Sequence, residues 1–242
     1  MPAVTLQLAA ALLLSMLTFW MPVGARIHIE LIQAMIRSPW YLPLTGAAQL
    51  GMALSCLLLF RKHLMANRVR IVPAVLLILL TGLILPQGEV PPFISGLLTI
   101  TIGILFLIQS LMKPEALAGH GLASVILWLA VTCCGVIPGT GVLSMAILAG
   151  LVTGLEYEPA FGLACMTSMW TLGAGGLAHL VSLPAVTWQS ILLCLVTAAV
   201  AFVLGPVVIR GMKTWFSRHT LLVFGIWRIC FGAVFLLVFC VM

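Results

Sequence analysis

The chain has 242 residues, 63% of them hydrophobic and only 7% charged, with a mean hydropathy of +1.28 and a formal net charge of +6. Soluble domains carry roughly 45–50% apolar and about 25% charged residues, so an ordinary soluble enzyme or binding module is excluded. The cations cluster in short loops flanking apolar runs, which argues for a membrane and against a nucleic-acid partner.

Val4–Trp20 opens the chain as an apolar run. Val23-Gly24-Ala25 has the small residues of a cleavage site, but no Lys or Arg precedes the run as a signal peptide requires. Residues 1–25 therefore read as an uncleaved first span, a signal-anchor, and 26–242 as one polytopic membrane domain. Next, Arg26, His28, Glu30, Gln33 and Arg37 interleave with apolar residues, and Glu30 and Arg37 share a face if the stretch is helical. Ser38-Pro39-Trp40-Tyr41-Leu42-Pro43 breaks that helix, because each proline removes a donor and disfavours helix before it.

Apolar sequence resumes over Ala47–Phe60. It returns at Ile71–Leu85, Phe93–Met112, Leu122–Ile137, Ile191–Ile209 and Leu221–Met242. These runs lack period-2 alternation and approach the roughly 20 residues that a helix needs to cross about 30 Å of hydrocarbon. Arg61, Lys62, Arg68 and Arg70 mark one cytoplasmic loop and Arg210, Lys213 and Arg218 another. Gln87–Pro92 is then an external loop. Ile137-Pro138-Gly139-Thr140-Gly141 makes a second break, and it matches Leu42-Pro43-Leu44-Thr45-Gly46 in its Pro, Thr and Gly. Paired broken helices of this kind build midplane polar sites in membrane proteins made of inverted repeats. A Pro/Gly break persists in hydrocarbon only where protein or a wet cavity satisfies it, and a helix N-terminus beside Thr or Ser is an anion site. A mere kink at Gly is the alternative.

Glu156-Tyr157-Glu158-Pro159 reads as a solvated polar turn, and Gly173, Gly175 and Gly176 beside His179 as a close-packed or broken helix. Arg228, inside the last apolar run, either serves function or snorkels to an interface. The seven cysteines lack metal-ligand spacing and read as buried thiols. The expected fold is all-α: a polytopic helical membrane protein with two broken or re-entrant helix pairs, arranged as inverted repeats.

Both breaks and their surroundings resemble the bacitracin-resistance type undecaprenyl-diphosphatases. Pro39–Leu50 is similar to that family's first signature and Gly135–Ala146 to its second. Ala149-Gly150-Leu151, Gly154–Ala160 and Trp227-Arg228-Ile229-Cys230-Phe231-Gly232 follow in the family's order. The resemblance implies an inner-membrane location and a polyprenyl-phosphate lipid as partner. The departures fall on the chemistry. The first signature's carboxylate is Trp40, an acidic or amide position is Ile36 and the histidine is Gln49. In the second, the arginine is Val142 and the serines are Gly141 and Leu143.

Phosphoanhydride cleavage needs a base or nucleophile and positive charge on the phosphoryl oxygens. Neither signature supplies these, and Glu30, Gln33 and Arg37 are out of register with the family positions. The leading expectation is therefore non-catalytic binding or translocation of a polyprenyl-phosphate carrier in cell-envelope synthesis. Thr45, Gly46, Gln49, Gly139, Thr140, Gly141, Ser144 and Arg228 would hold the phosphate, with no catalytic residue, no cofactor and no metal. One alternative is an undecaprenyl-diphosphate phosphatase with a rearranged active site using Mg²⁺ or Ca²⁺. The other is a small-solute permease or membrane-complex subunit. A homodimer or an envelope-synthesis partner is compatible with either.

Overall fold

A backbone in hydrocarbon must satisfy its own N–H and C=O groups, so apolar sequence of this length folds into helices. The computed structural model describes residues 2–66, 68–84, 90–111 and 122–241. Among them are ten α-helices and no strand. They are α1 (Pro2–Thr18), α2 (Ala25–Ile36), α3 (Tyr41–Ala66), α4 (Arg68–Ile84), α5 (Pro92–Leu111), α6 (Leu122–Cys133), α7 (Val142–Val152), α8 (Tyr157–Leu180), α9 (Trp188–Phe216) and α10 (Leu222–Val241). Four of these, α3, α5, α9 and α10, are long and apolar enough to cross a membrane. The protein is thus a polytopic helical membrane protein. Residues 87–89, half of the expected external loop, lie outside the described residues, and Pro92 at its end opens α5.

Small residues set the packing, because in lipid helices associate by close contact rather than by hydrophobic exclusion. α3 packs against α8 and α9, α5 against α10, and α7 against α8. At Gly51 of α3 an added Cβ would run into the Ala198 carbonyl of α9. Gly103 meets Gly225 while Gly96 meets Leu236, so α5 and α10 run antiparallel.

The basic loops share one end of the bundle. Arg61 and Lys62 lie in the last turns of α3 and Arg68 starts α4. Phe60 of α3 touches Gly162 of α8, whose neighbour Phe161 lies 5.1 Å from Phe216 at the end of α9. Lys213 Nζ reaches Glu158 Oε1 at 3.2 Å, so the polar turn at 156–159 belongs to this end. α10 also begins there, with Phe224 5.7 Å from Phe216, and runs away toward the opposite end.

Three sequence expectations need amending, and a fourth, which left two readings open, is settled as close packing. The run Leu122–Ile137 is not a span, since α6 stops at Cys133 and tightens into a 3₁₀ turn at Cys134–Val136. The glycines near His179 do not break α8, which is continuous over 24 residues. Their role is contact: an added Cβ at Gly176 would crowd the Gly46 carbonyl at 2.8 Å. Pro43-Leu44-Thr45-Gly46 is not itself the first break but the opening of α3. The first turn of a helix has no intrahelical use for its N–H groups, so Pro43 costs nothing there. Arg37 supplies the actual break, with φ 50° in the left-handed region. Finally, the likeness between the halves is local: α3 continues for 26 residues after its break, whereas α7 ends after 11.

Candidate functional site

The second break is a turn closed by its own polar groups. Thr140 Oγ1 donates to the Ile137 carbonyl at 2.6 Å and to the Cys134 carbonyl at 2.9 Å. Gly139 and Gly141 adopt φ of 91° and 82°, where a Cβ would be strained, and Gly139 packs directly on Ser95 of α5. Thr99 Oγ1 donates to the Gly139 carbonyl at 3.1 Å. α7 starts at this turn, and Met145 N–H, the first amide with an intrahelical acceptor, donates to Gly141 at 3.0 Å. No side chain caps this helix start, and Val142, Leu143 and Ser144 in its first turn are all buried.

Beside it lies Arg228, fully buried in α10. Its Nη2 donates to the Thr140 carbonyl at 2.8 Å and to Ser144 Oγ at 2.7 Å. Nη1 donates to the Gly139 carbonyl at 3.2 Å and Nε to the Pro22 carbonyl at 2.8 Å. Phe106 of α5 stacks below, its ring centre 5.5 Å from the guanidinium carbon. Four of the five donors of this side chain are therefore taken by the protein itself. No carboxylate pairs with it among the described residues.

The first-break residues occupy a separate place. Thr45 and Gln49 are buried in α3, where Gln49 Oε1 lies beside Gly175 of α8 and Gly46 lies against His179. Gln49 Oε1 and His179 Nδ1 have no hydrogen-bond partner among the described residues. Thr45 Oγ1 sits near the Tyr41 hydroxyl, which is itself bonded to Ser15 Oγ at 2.7 Å, without closing a bond of good geometry. Unlike the second break, Thr45 and Gly46 lie within α3, so this stretch offers hydroxyl and amide side chains rather than free backbone donors. α8 packs against both α3 and α7, and no bond joins Thr45 or Gln49 to Thr140, Ser144 or Arg228.

What does connect the breaks is α2. Arg26, Glu30, Gln33 and Arg37 recur at helical spacing and line an open cavity of about 630 Å³. Ser38 and Pro39 of the first break, Pro138 of the second, and Val90, Pro92, Ser95 and Phe239 complete its wall. The stripe was visible in the sequence; its position against the second break was not, because that depends on which helices pack around it. α2 keeps this face outward by anchoring the other. Ile27 and Leu31 pack on Phe235, and His28 stacks on Phe231 with ring centres 3.8 Å apart. His28 Nδ1 donates to the Gly24 carbonyl at 2.9 Å while Nε2 accepts from Trp227 Nε1 at 3.2 Å.

The match to known proteins bears on this site. A family model described as bacitracin resistance protein BacA covers residues 12–234. The chain belongs to that family. No curated protein matches it.

A divalent ion, as the phosphatase resemblance implies, wants several oxygen ligands, usually carboxylates. Among the described residues no three His, Cys, Asp or Glu side chains come together to hold one. Glu30 is the only carboxylate among the cavity-lining residues described, and its Oε1 is 2.9 Å from Arg26 Nε. The described donor set does not fit such an ion.

Proposed function

We propose that this BacA-family protein is a phosphatase of polyprenyl diphosphates with a rearranged site, holding the diphosphate in the cavity between Pro138 of the second break and the polar face of α2. The observation that carries this reading is the cavity that Arg26, Gln33 and Arg37 wall together with Pro138 of the second break. Beside it a buried guanidinium, with no carboxylate partner among the described residues, adjoins the start of α7. Helix N-termini and guanidinium groups both favour phosphate, and together they supply the stabilisation that phosphoryl transfer demands. Family membership supports the lipid diphosphate as the molecule bearing that phosphate.

The location of the cavity agrees with such a substrate. α10 leads from the basic end of the bundle to Phe239 on the cavity wall, so the cavity lies at the end remote from the basic loops. Basic loops face the cytoplasm by the positive-inside rule, which turns the cavity toward the outer face of an inner membrane. Mixed polar and apolar lining suits a headgroup joined to an isoprenoid chain.

A second reading, binding or translocating the lipid without cutting it, is favoured by the replacement of the family's ionisable residues by Trp40, Gln49 and Val142. Phosphate release from polyprenyl diphosphate by purified protein separates the two. Turnover supports the phosphatase. Retained binding of the monophosphate lipid with no turnover supports a carrier or sensor.

A further inference from the structure

The cavity wall carries a carboxylate and a guanidinium that hold each other. Arg26 Nε donates to Glu30 Oε1 at 2.9 Å, and the two side chains are 58% and 36% exposed. Exposed pairs of this spacing are weak and yield readily to a better partner. A diphosphate is such a partner for arginine, because its oxygens accept from the planar fork in pairs. The helix that carries the pair cannot turn to hide it, since Ile27, His28 and Leu31 are pinned against Phe231, Phe235 and Trp227 of α10. Gln33 and Arg37 extend the same stripe toward the first break, within one continuous cavity.

Resting on the phosphatase reading, we propose that Arg26 and Glu30 form a latch. Diphosphate draws Arg26 onto its oxygens, and the Glu30 carboxylate so released is the general base of hydrolysis. Glu30 takes a proton from a water molecule as the water oxygen bonds to the terminal phosphorus. The bond from that phosphorus to the bridging oxygen breaks, and its electron pair remains on the lipid monophosphate. Inorganic phosphate and lipid monophosphate are the products, and water is the only co-reactant. The base thus comes from α2 six residues before Ile36, where the resemblance would place an acidic or amide side chain.

The test is phosphate release from a polyprenyl diphosphate by the full-length protein in detergent, with lipid binding followed separately by thermal shift. Glu30→Gln is expected to lower kcat by roughly 100-fold or more, the usual worth of a positioned base, with KM unchanged or lowered because Arg26 is freed. Glu30→Asp is expected to keep measurable turnover, and both variants to bind the lipid. Wild-type turnover in Glu30→Gln would overturn the base assignment and leave the phosphatase reading standing. Loss of lipid binding together with turnover would make Glu30 a binding residue and likewise overturn it. A wild-type protein that releases no phosphate overturns both.

Discussion

Arg228 shows how a residue that looks like a ligand can act first on its own protein. Its side chain ties α10 to the Pro22 carbonyl, to the turn at Gly139 and Thr140, and to Ser144 in the first turn of α7. Replacing it by methionine keeps the volume but leaves these buried acceptors without donors, each worth about 1–3 kcal/mol. Arg228→Met is expected to destabilise the purified protein by about 3 kcal/mol or more, seen as a lowered denaturation midpoint. Arg228→Lys is expected to recover little, since an ammonium cannot reproduce the planar fork. Thr140 acts on the same turn. Because its hydroxyl is committed to Cys134 and Ile137, Thr140→Val should cost about 1–2 kcal/mol in stability and weaken headgroup binding through the turn's shape. Thr140→Ser, which keeps the donor, should restore both. Equal affinity in Thr140→Val and wild type would mean that the turn does not shape the site.

At the scale of elements, close approach does the work that a hydrophobic core does in water. The α3–α9 crossing depends on Gly51, whose missing side chain leaves room for the Ala198 carbonyl. Gly51→Leu is expected to force the helices apart at a cost of about 1–3 kcal/mol, read from the same denaturation series. Phosphate release should fall less than stability, because the crossing is away from the cavity. Element identity was legible in the sequence wherever apolar runs were long, as in α5, α9 and α10. The end of α6 was not, since Leu122–Ile137 is apolar throughout and composition does not record where a chain turns back. Pro138, Gly139 and Gly141 announced the second break, because positive φ and a missing donor leave few other conformations. Arg228's bonds were not legible, as they join residues far apart in the chain. The α2 stripe lay between these cases: its periodicity was plain, but only packing against Phe235 and Trp227 decides which way it faces.

For the whole molecule, the decisive asymmetry is between its two ends. Arg61, Lys62 and Arg68 gather with Lys213 at one end, beside the aromatic contacts of Phe161, Phe216 and Phe224. Ser38, Pro39 and Phe239 border the cavity at the other. A lipid substrate can reach such a site laterally, so the orientation decides which leaflet's headgroups are handled rather than whether the tail fits. In a cysteine-free background, Ser38→Cys is expected to react with a membrane-impermeant thiol reagent added to intact cells whose outer envelope has been opened. Lys62→Cys, at the basic end, is expected to react only after the inner membrane is disrupted. The reverse pattern would put the cavity on the cytoplasmic side, and the substrate pool would then be inner-leaflet diphosphate. Labelling of Ser38→Cys should fall when polyprenyl diphosphate is added, because the headgroup would cover the wall formed by Ser38 and Arg37. Protection by the lipid, together with labelling from outside, would join the orientation of the fold to the place where the headgroup binds.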